Sequence, residues 1–211
     1  FFDTIRELFI EFFRLLAYLF RGRFVVKGAP PARRMILLLI VSLVPMAISV
    51  PLMDLFDRVS TDNDIVVEGI CFLFTSLLLF ASDRCVKGRK TAKEMKYRDA
   101  LVVGGFQAIA PFPGISRSGS TIATGLLLGV KREEVASFSF LMALIPIIGA
   151  NLLELFDGGF GTAAQSIGTS SLVAGFLASF LAGTFACKVM INLVKRGNLV
   201  WFAVYCALVG L

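Results

Sequence analysis

The chain has 211 residues, 57% of them hydrophobic and 17% charged, with a net charge of +6 and a mean hydropathy of +0.83. Soluble domains carry about a quarter charged residues, so the composition excludes one and predicts an all-α, polytopic helical membrane protein folded as a single transmembrane domain. The positive balance does not point to nucleic acid, because the Lys and Arg residues lie in short segments between apolar runs, where they set membrane orientation.

Residues 1–20 come first. Phe1, Ile5, Leu8, Phe9, Phe12, Leu16 and Leu19 recur at helical spacing, with Asp3, Glu7 and Arg14 on another face. That pattern predicts an amphipathic helix over 1–20, lying in the interface or packed on other protein. Residues 21–34 carry five Lys/Arg and no acid. The run 35–53 is a predicted span whose Pro45 is tolerable where neighbouring helices re-satisfy the backbone. Residues 54–64 hold four Asp against Arg58 alone, and 65–82 is the second predicted span, with Glu68 near its outer end as an interfacial or a catalytic carboxylate. Residues 83–98 then hold seven Lys/Arg against two acids.

Beyond the central region come Lys131-Arg132, a predicted span over 135–156, the segment 157–170 with no Lys or Arg, a predicted span over 172–193, and Lys195-Arg196. The last run, 199–211, has 13 residues, short of the ~20 a spanning helix needs, and reads as a truncated span. With Phe1 in place of Met, both ends are expected to be cut. The four cysteines (Cys71, Cys85, Cys187 and Cys206) show no metal or redox spacing, and three lie in apolar runs. They read as small apolar residues, with no structural disulfide expected.

Charge parity decides the course of 99–130. If this segment crossed once, the basic pairs 131–132 and 195–196 would lie outside. If it enters and returns, every basic segment (21–34, 83–98, 131–132 and 195–196) lies in the cytoplasm, as the positive-inside rule requires. The two halves, Asp99–Pro111 and Ser118–Val130, have 13 residues each, about 20 Å of helix and too short to span. Pro111, Pro113 and Gly114 break the helix between them. Residues 99–130 therefore read as a re-entrant helix–loop–helix entering from the cytoplasmic side, and interrupted apolar segments of this kind mark binding sites.

The turn Pro113–Thr121 places an arginine and four hydroxyl side chains within nine residues. A second half-helix starting near Arg117 or Ser118 points free N–H groups and a positive dipole end into the loop, which suits phosphate. Arg117 adds a permanently charged fork of donors. Ser116, Ser118, Ser120 and Thr121 add hydroxyls, while Gly114 and Gly119 let a ligand approach the backbone. Gln107 on the first half-helix either reaches the tip or makes an interhelical hydrogen bond. The bland alternative is close helix packing through small residues, with a capping serine. Arg117 fits it worst, since it lies more than a dozen residues from either basic segment.

The stretch Gly105–Thr121 closely resembles the second signature of bacterial undecaprenyl-diphosphate phosphatases, the bacitracin-resistance family. Arg33-Arg34-Met35, Ser82-Asp83-Arg84, Phe138–Met142 and Gly149-Ala150-Asn151 add to the likeness, which covers most of 20–211. The resemblance implies two inverted repeats in the bacterial inner membrane, each with a re-entrant helix pair, meeting at a site open to the outer face. It also implies hydrolysis of undecaprenyl diphosphate to the monophosphate and inorganic phosphate, recycling the lipid carrier of cell-wall synthesis. The implied substrate is a polyprenyl diphosphate lipid, and the implied cofactor is a divalent cation, Mg or Ca. By position, Ser116, Arg117 and Thr121 fall on phosphate-binding and catalytic residues, with Ser118, Gly119, Ser120, Gly114 and Gln107 around the substrate. The family's first repeat carries two glutamates four residues apart, a serine-rich turn and a histidine. This chain has no histidine and no such motif upstream, so the metal ligands are expected outside it and the chain alone is expected to be inactive. A homo-oligomer is compatible with this reading. A carrier or flippase for a lipid phosphate or other anion remains the alternative. Histidine-dependent lipid phosphatases and P-loop enzymes are excluded by the missing residues.

Overall fold

The computed structural model describes residues 2–20, 30–52, 56, 58, 65–84, 88–156 and 168–211. Most of the expected segments 21–34, 54–64 and 157–170, together with Cys85, lie outside the described residues. Eight α-helices are described: α1 (Phe2–Phe20), α2 (Pro31–Ser49), α3 (Val66–Arg84), α4 (Tyr97–Ala108), α5 (Arg117–Leu127), α6 (Arg132–Phe156), α7 (Thr169–Arg196) and α8 (Leu199–Val209). A 3-10 turn over Val50–Leu52 extends α2. Four segments are long and apolar enough to cross a membrane: Pro31–Leu52, Val66–Arg84, Arg132–Phe156 and Thr169–Arg196.

These helices outrun their apolar cores for a simple reason. Hydropathy marks contact with hydrocarbon, whereas helical hydrogen bonding continues until something stops it. Thus α2 starts at Pro31, whose fixed φ suits a first turn. Helix α6 opens with Arg132, Glu133 and Glu134, whose acids favour a helix N-terminus. Helix α7 runs through Lys195-Arg196 to Gly197, a left-handed C-cap at φ 78°.

Helices α4 and α5 form a pair. Helix α4 packs on α2, and α5 is enclosed by α3, α4 and α6, while α8 covers α3. The α2–α4 approach is backbone to backbone: a Cβ on Gly104 would stand 2.0 Å from the Ser42 carbonyl oxygen. Around this pair lies the core, with Leu38, Met95, Val103, Val135, Phe138 and Met142 fully enclosed.

The chain returns to where the pair began. Lys90 N–H donates to the Gly129 carbonyl at 3.0 Å, and Lys131 N–H donates to the Lys90 carbonyl at 2.9 Å. The same end of the bundle gathers two further contacts. Arg34 Nη2 donates to the Met95 carbonyl at 2.8 Å, and Arg132 pairs with Asp83 at 3.1 Å. The start of α2, the end of α3, the 88–96 segment and the start of α6 thus share one end. The turn between α4 and α5 lies far from it. Gly114 sits beside Glu68 and Phe72 near the start of α3, about 22 Å along that helix from Asp83.

Helix α1 does not divide cleanly into an apolar inner face and a charged outer one. Glu11 is 5% exposed and pairs with Arg33 at 2.7 Å, while Arg33 also lies over the Tyr18 ring at 4.9 Å. Phe9, Phe12 and Phe13 are exposed. The Glu11–Arg33 ion pair, as well as the apolar residues Leu8 and Leu15, turns this face of α1 toward α2.

Candidate functional site

The turn between α4 and α5 owes its shape to three devices. Gly114 has φ +87°, a left-handed conformation that suits glycine, and a Cβ there would meet the Glu68 carbonyl oxygen at 2.6 Å. Thr75 on α3, 1% exposed, clasps the turn from below: its hydroxyl donates to the Gly114 carbonyl at 3.2 Å and accepts from the Ser116 N–H at 3.3 Å. Phe112 is held edge-on by Phe56 with centroids 4.7 Å apart.

Ser116 then caps α5. Its backbone is extended at φ −72° and ψ 111°, and its Oγ accepts from the Gly119 N–H at 3.1 Å. The Ser120 N–H returns to the Ser116 carbonyl at 2.8 Å. The amides of Arg117 and Ser118, the first two helical residues, have no hydrogen-bond partner among the described residues, as helix geometry requires of a first turn. The half-buried Arg117 guanidinium likewise meets no carboxylate among them. Two free amides, a dipole end of about half a positive charge and an unpaired guanidinium thus lie together, with the exposed Ser118 hydroxyl beside them.

The expected site residues separate into two groups. Ser116, Arg117 and Ser118 form the rim of the helix terminus. Gly114 and Gly119 have packing reasons to be glycine rather than room for a ligand: a Cβ on Gly119 would stand 2.8 Å from Ser116 Oγ. Ser120 is fully enclosed, and its Oγ has no partner among the described residues. Thr121 is 1% exposed; its Oγ1 lies 3.0 Å from the Arg117 carbonyl and 2.5 Å from Ser139 Oγ on α6. Its hydroxyl is therefore spent on the α5–α6 junction. Gln107 is 2% exposed and donates to Met46 Sδ of α2 at 3.5 Å, an interhelical contact away from the rim. Packing explains the split, because the first turn of α5 stands clear of its neighbours while Ser120, Thr121 and Gln107 are buried among them.

Two residues at this turn escape a reading of sequence. Thr75 lies inside an apolar run, where its only signal was being one of two adjacent hydroxyl residues, with Ser76. Ser139 sits between two phenylalanines and shows its role only once α6 packs on α5.

The donors at the rim suit an anion. Divalent cations need several oxygen ligands, with carboxylates prominent among them. No group of three or more His, Cys, Asp or Glu side chains among the described residues is placed to hold a metal. Among the described residues, Glu68 is the acid beside the turn. It is half-buried, and its Oε2 is enclosed without a hydrogen-bond partner among the described residues. One carboxylate does not make a cation site, so the described residues alone do not make up a site for the expected Mg or Ca.

Comparison with known proteins places this geometry in context. Residues 2–211 match the model of the family described as "Bacitracin resistance protein BacA". A relative from Bacteroides fragilis named "Undecaprenyl-diphosphatase" is 41% identical over 209 residues, covering 98% of this chain and 77% of the relative. Relatives of the same name from Parabacteroides distasonis and Alkaliphilus metalliredigens are 40% and 36% identical, over 99% of the chain in each case and over 77% and 74% of the relatives.

Proposed function

The chain belongs to the bacitracin resistance protein BacA family, and from that premise we propose that it acts as an undecaprenyl-diphosphatase, a membrane hydrolase that converts undecaprenyl diphosphate to undecaprenyl phosphate and inorganic phosphate. It is a multi-pass membrane protein whose substrate is a polyprenyl lipid. The observation that carries the site assignment is the open N-terminus of α5, with two unpartnered amides beside an arginine that meets no carboxylate among the described residues.

In this reading Arg117 and the Arg117 and Ser118 amides hold the diphosphate oxygens and stabilise charge on the transferred phosphoryl group, the main task in such reactions. Ser116 acts by fixing the helix start, and Thr75 by fixing Ser116. Thr121 holds α5 against α6 and so keeps the first turn in place. The attack of water needs a proton acceptor; the chain has no histidine, and among the described residues the acid beside the turn is Glu68. Any divalent cation would draw its carboxylate ligands from outside the described residues. We place the basic end of the bundle in the cytoplasm of a bacterial inner membrane and the turn toward the outer face, supported by the Lys90–Gly129 and Lys131–Lys90 hydrogen bonds that bring the two ends of the hairpin together.

The test is phosphate release. Joined to the glutamate pair, serine-rich turn and histidine of the family's first repeat, the chain is expected to release orthophosphate from undecaprenyl diphosphate. Arg117→Ala should lower that rate about 100- to 1,000-fold, the usual effect of removing one group that stabilises transition-state charge. A near-normal rate in Arg117→Ala would sink the assignment. The 211-residue chain alone is expected to bind the diphosphate without turnover. A carrier would bind the same anion and release no phosphate in either form, and the relatives' names do not favour it.

A further inference from the structure

A groove of about 240 Å³ lies between α5, α6 and α7, and Ser118, Ile122, Ser139, Ala143, Cys187 and Met190 are among its lining residues. Its floor is closed, with Ile122, Ser139 and Val194 buried, while Ser118 and Cys187 on its rim are exposed. Ser118 is the second residue of α5, so the groove opens directly beside the Arg117 amide. Along α7 the lining runs from Ala186 to Val194, about 12 Å of helix. It contains little that would hold a polar molecule. Apart from Ser118 at the mouth, its hydroxyl is that of Ser139, already bonded to Thr121.

We propose that this groove seats the first isoprene units of the polyprenyl diphosphate whose head is held at the start of α5; this rests on the functional reading above. Ordinary lipid tails are as apolar as the groove walls, so entering it brings a hydrocarbon chain no hydrophobic gain. What distinguishes the occupant is its tether. A chain whose diphosphate is already bound at Arg117 is present beside the groove at high effective concentration, whereas a phospholipid tail has no such anchor. The groove's length accommodates only the first few units, and the remainder extends into the bilayer. Two other apolar grooves lie among the described residues, one between α1, α2 and α6 from Ile5 to Ile148 and one between α2 and α4 from Val44 to Phe112, and neither takes a lining residue from α5.

The test is photolabelling of the 211-residue chain in lipid nanodiscs. The probe is a polyprenyl diphosphate carrying a diazirine within its first three isoprene units, and adducts are mapped by mass spectrometry. Adducts are expected on 136–143 and 186–194, and excess undecaprenyl diphosphate should remove them. The same diazirine chain ending in a hydroxyl should label these segments about tenfold less, having lost its tether. Ala143→Phe and Ala186→Phe, on separate helices, should each reduce the diphosphate adducts about threefold by filling the groove. Adducts on 5–13 and 36–43, or spread evenly over exposed helix faces while diphosphate binding persists, would overturn the groove alone. Equal labelling by the alcohol, together with unchanged labelling in Arg117→Ala, would support the groove and overturn the head assignment.

Discussion

Thr75 and Ser120 carry similar side chains with opposite consequences. The Thr75 hydroxyl serves two backbone groups of the turn, Gly114 and Ser116. Thr75→Val keeps the shape and strands a part-buried carbonyl and a part-buried amide, at a cost of about 2 kcal/mol. Its thermal midpoint and its affinity for diphosphate should both fall, because the amides of the first turn lose their orientation. The Ser120 hydroxyl is enclosed without a partner among the described residues. Ser120→Ala removes an unsatisfied group, and is expected to gain about 1 kcal/mol with diphosphate affinity unchanged. Weaker binding in Ser120→Ala would show that its hydroxyl does reach the ligand. Both measurements can be made by thermal unfolding and diphosphate binding in detergent.

The helical hairpin is tied at its ends as well as packed along its length. At the closed end Asp83 and Arg132 tie α3 to α6, and their side chains are only 13% and 18% exposed. Arg132 Nη1 has no hydrogen-bond partner among the described residues, so the pair is enclosed without being fully satisfied. Removing one member leaves a poorly hydrated charge. Asp83→Ala is therefore expected to destabilise by about 3 kcal/mol, and the double variant Asp83→Ala/Arg132→Ala by less than the sum of the two single changes. Additive losses in this double-mutant cycle, followed by denaturation in mixed micelles, would mean the pair contributes nothing specific. The basic residues that predict membrane orientation also include, in Arg132 and Lys90, residues that join helices. Charge counting registers them in one role only.

For the whole molecule the decisive feature is that the 88–96 segment and the 129–132 segment lie side by side. A thiol introduced at Lys93 and one at Lys131 should therefore react from the same side of a sealed vesicle, the cytoplasmic side, as should one at Lys195. Labelling of Lys93→Cys and Lys131→Cys from opposite sides would overturn the return of the hairpin. Helix α7 presents a different situation. Its spanning window has none of its residues buried, and among the described residues it is held by its contact with α6 and by its C-cap, Gly197, against Arg132. Stability should accordingly be concentrated in α2–α6 and α8.

Much of this protein is legible in its sequence because a membrane imposes simple constraints. Long apolar runs must be helices, short interrupted ones cannot span, and basic segments share a side. The helix pair within 99–130 and the start of α5 at Arg117 follow from residue type and spacing. Which hydroxyls face a ligand does not follow, because helical phase relative to neighbours is set by packing. Only the tertiary structure turned Ser120, Thr121 and Gln107 inward, left Ser116, Arg117 and Ser118 at the rim, and brought Thr75 from 39 residues away to clasp Gly114. Sequence spacing determines which groups share a turn of helix. The surfaces of α3 and α6, remote in the chain, decide which side of that turn stays open.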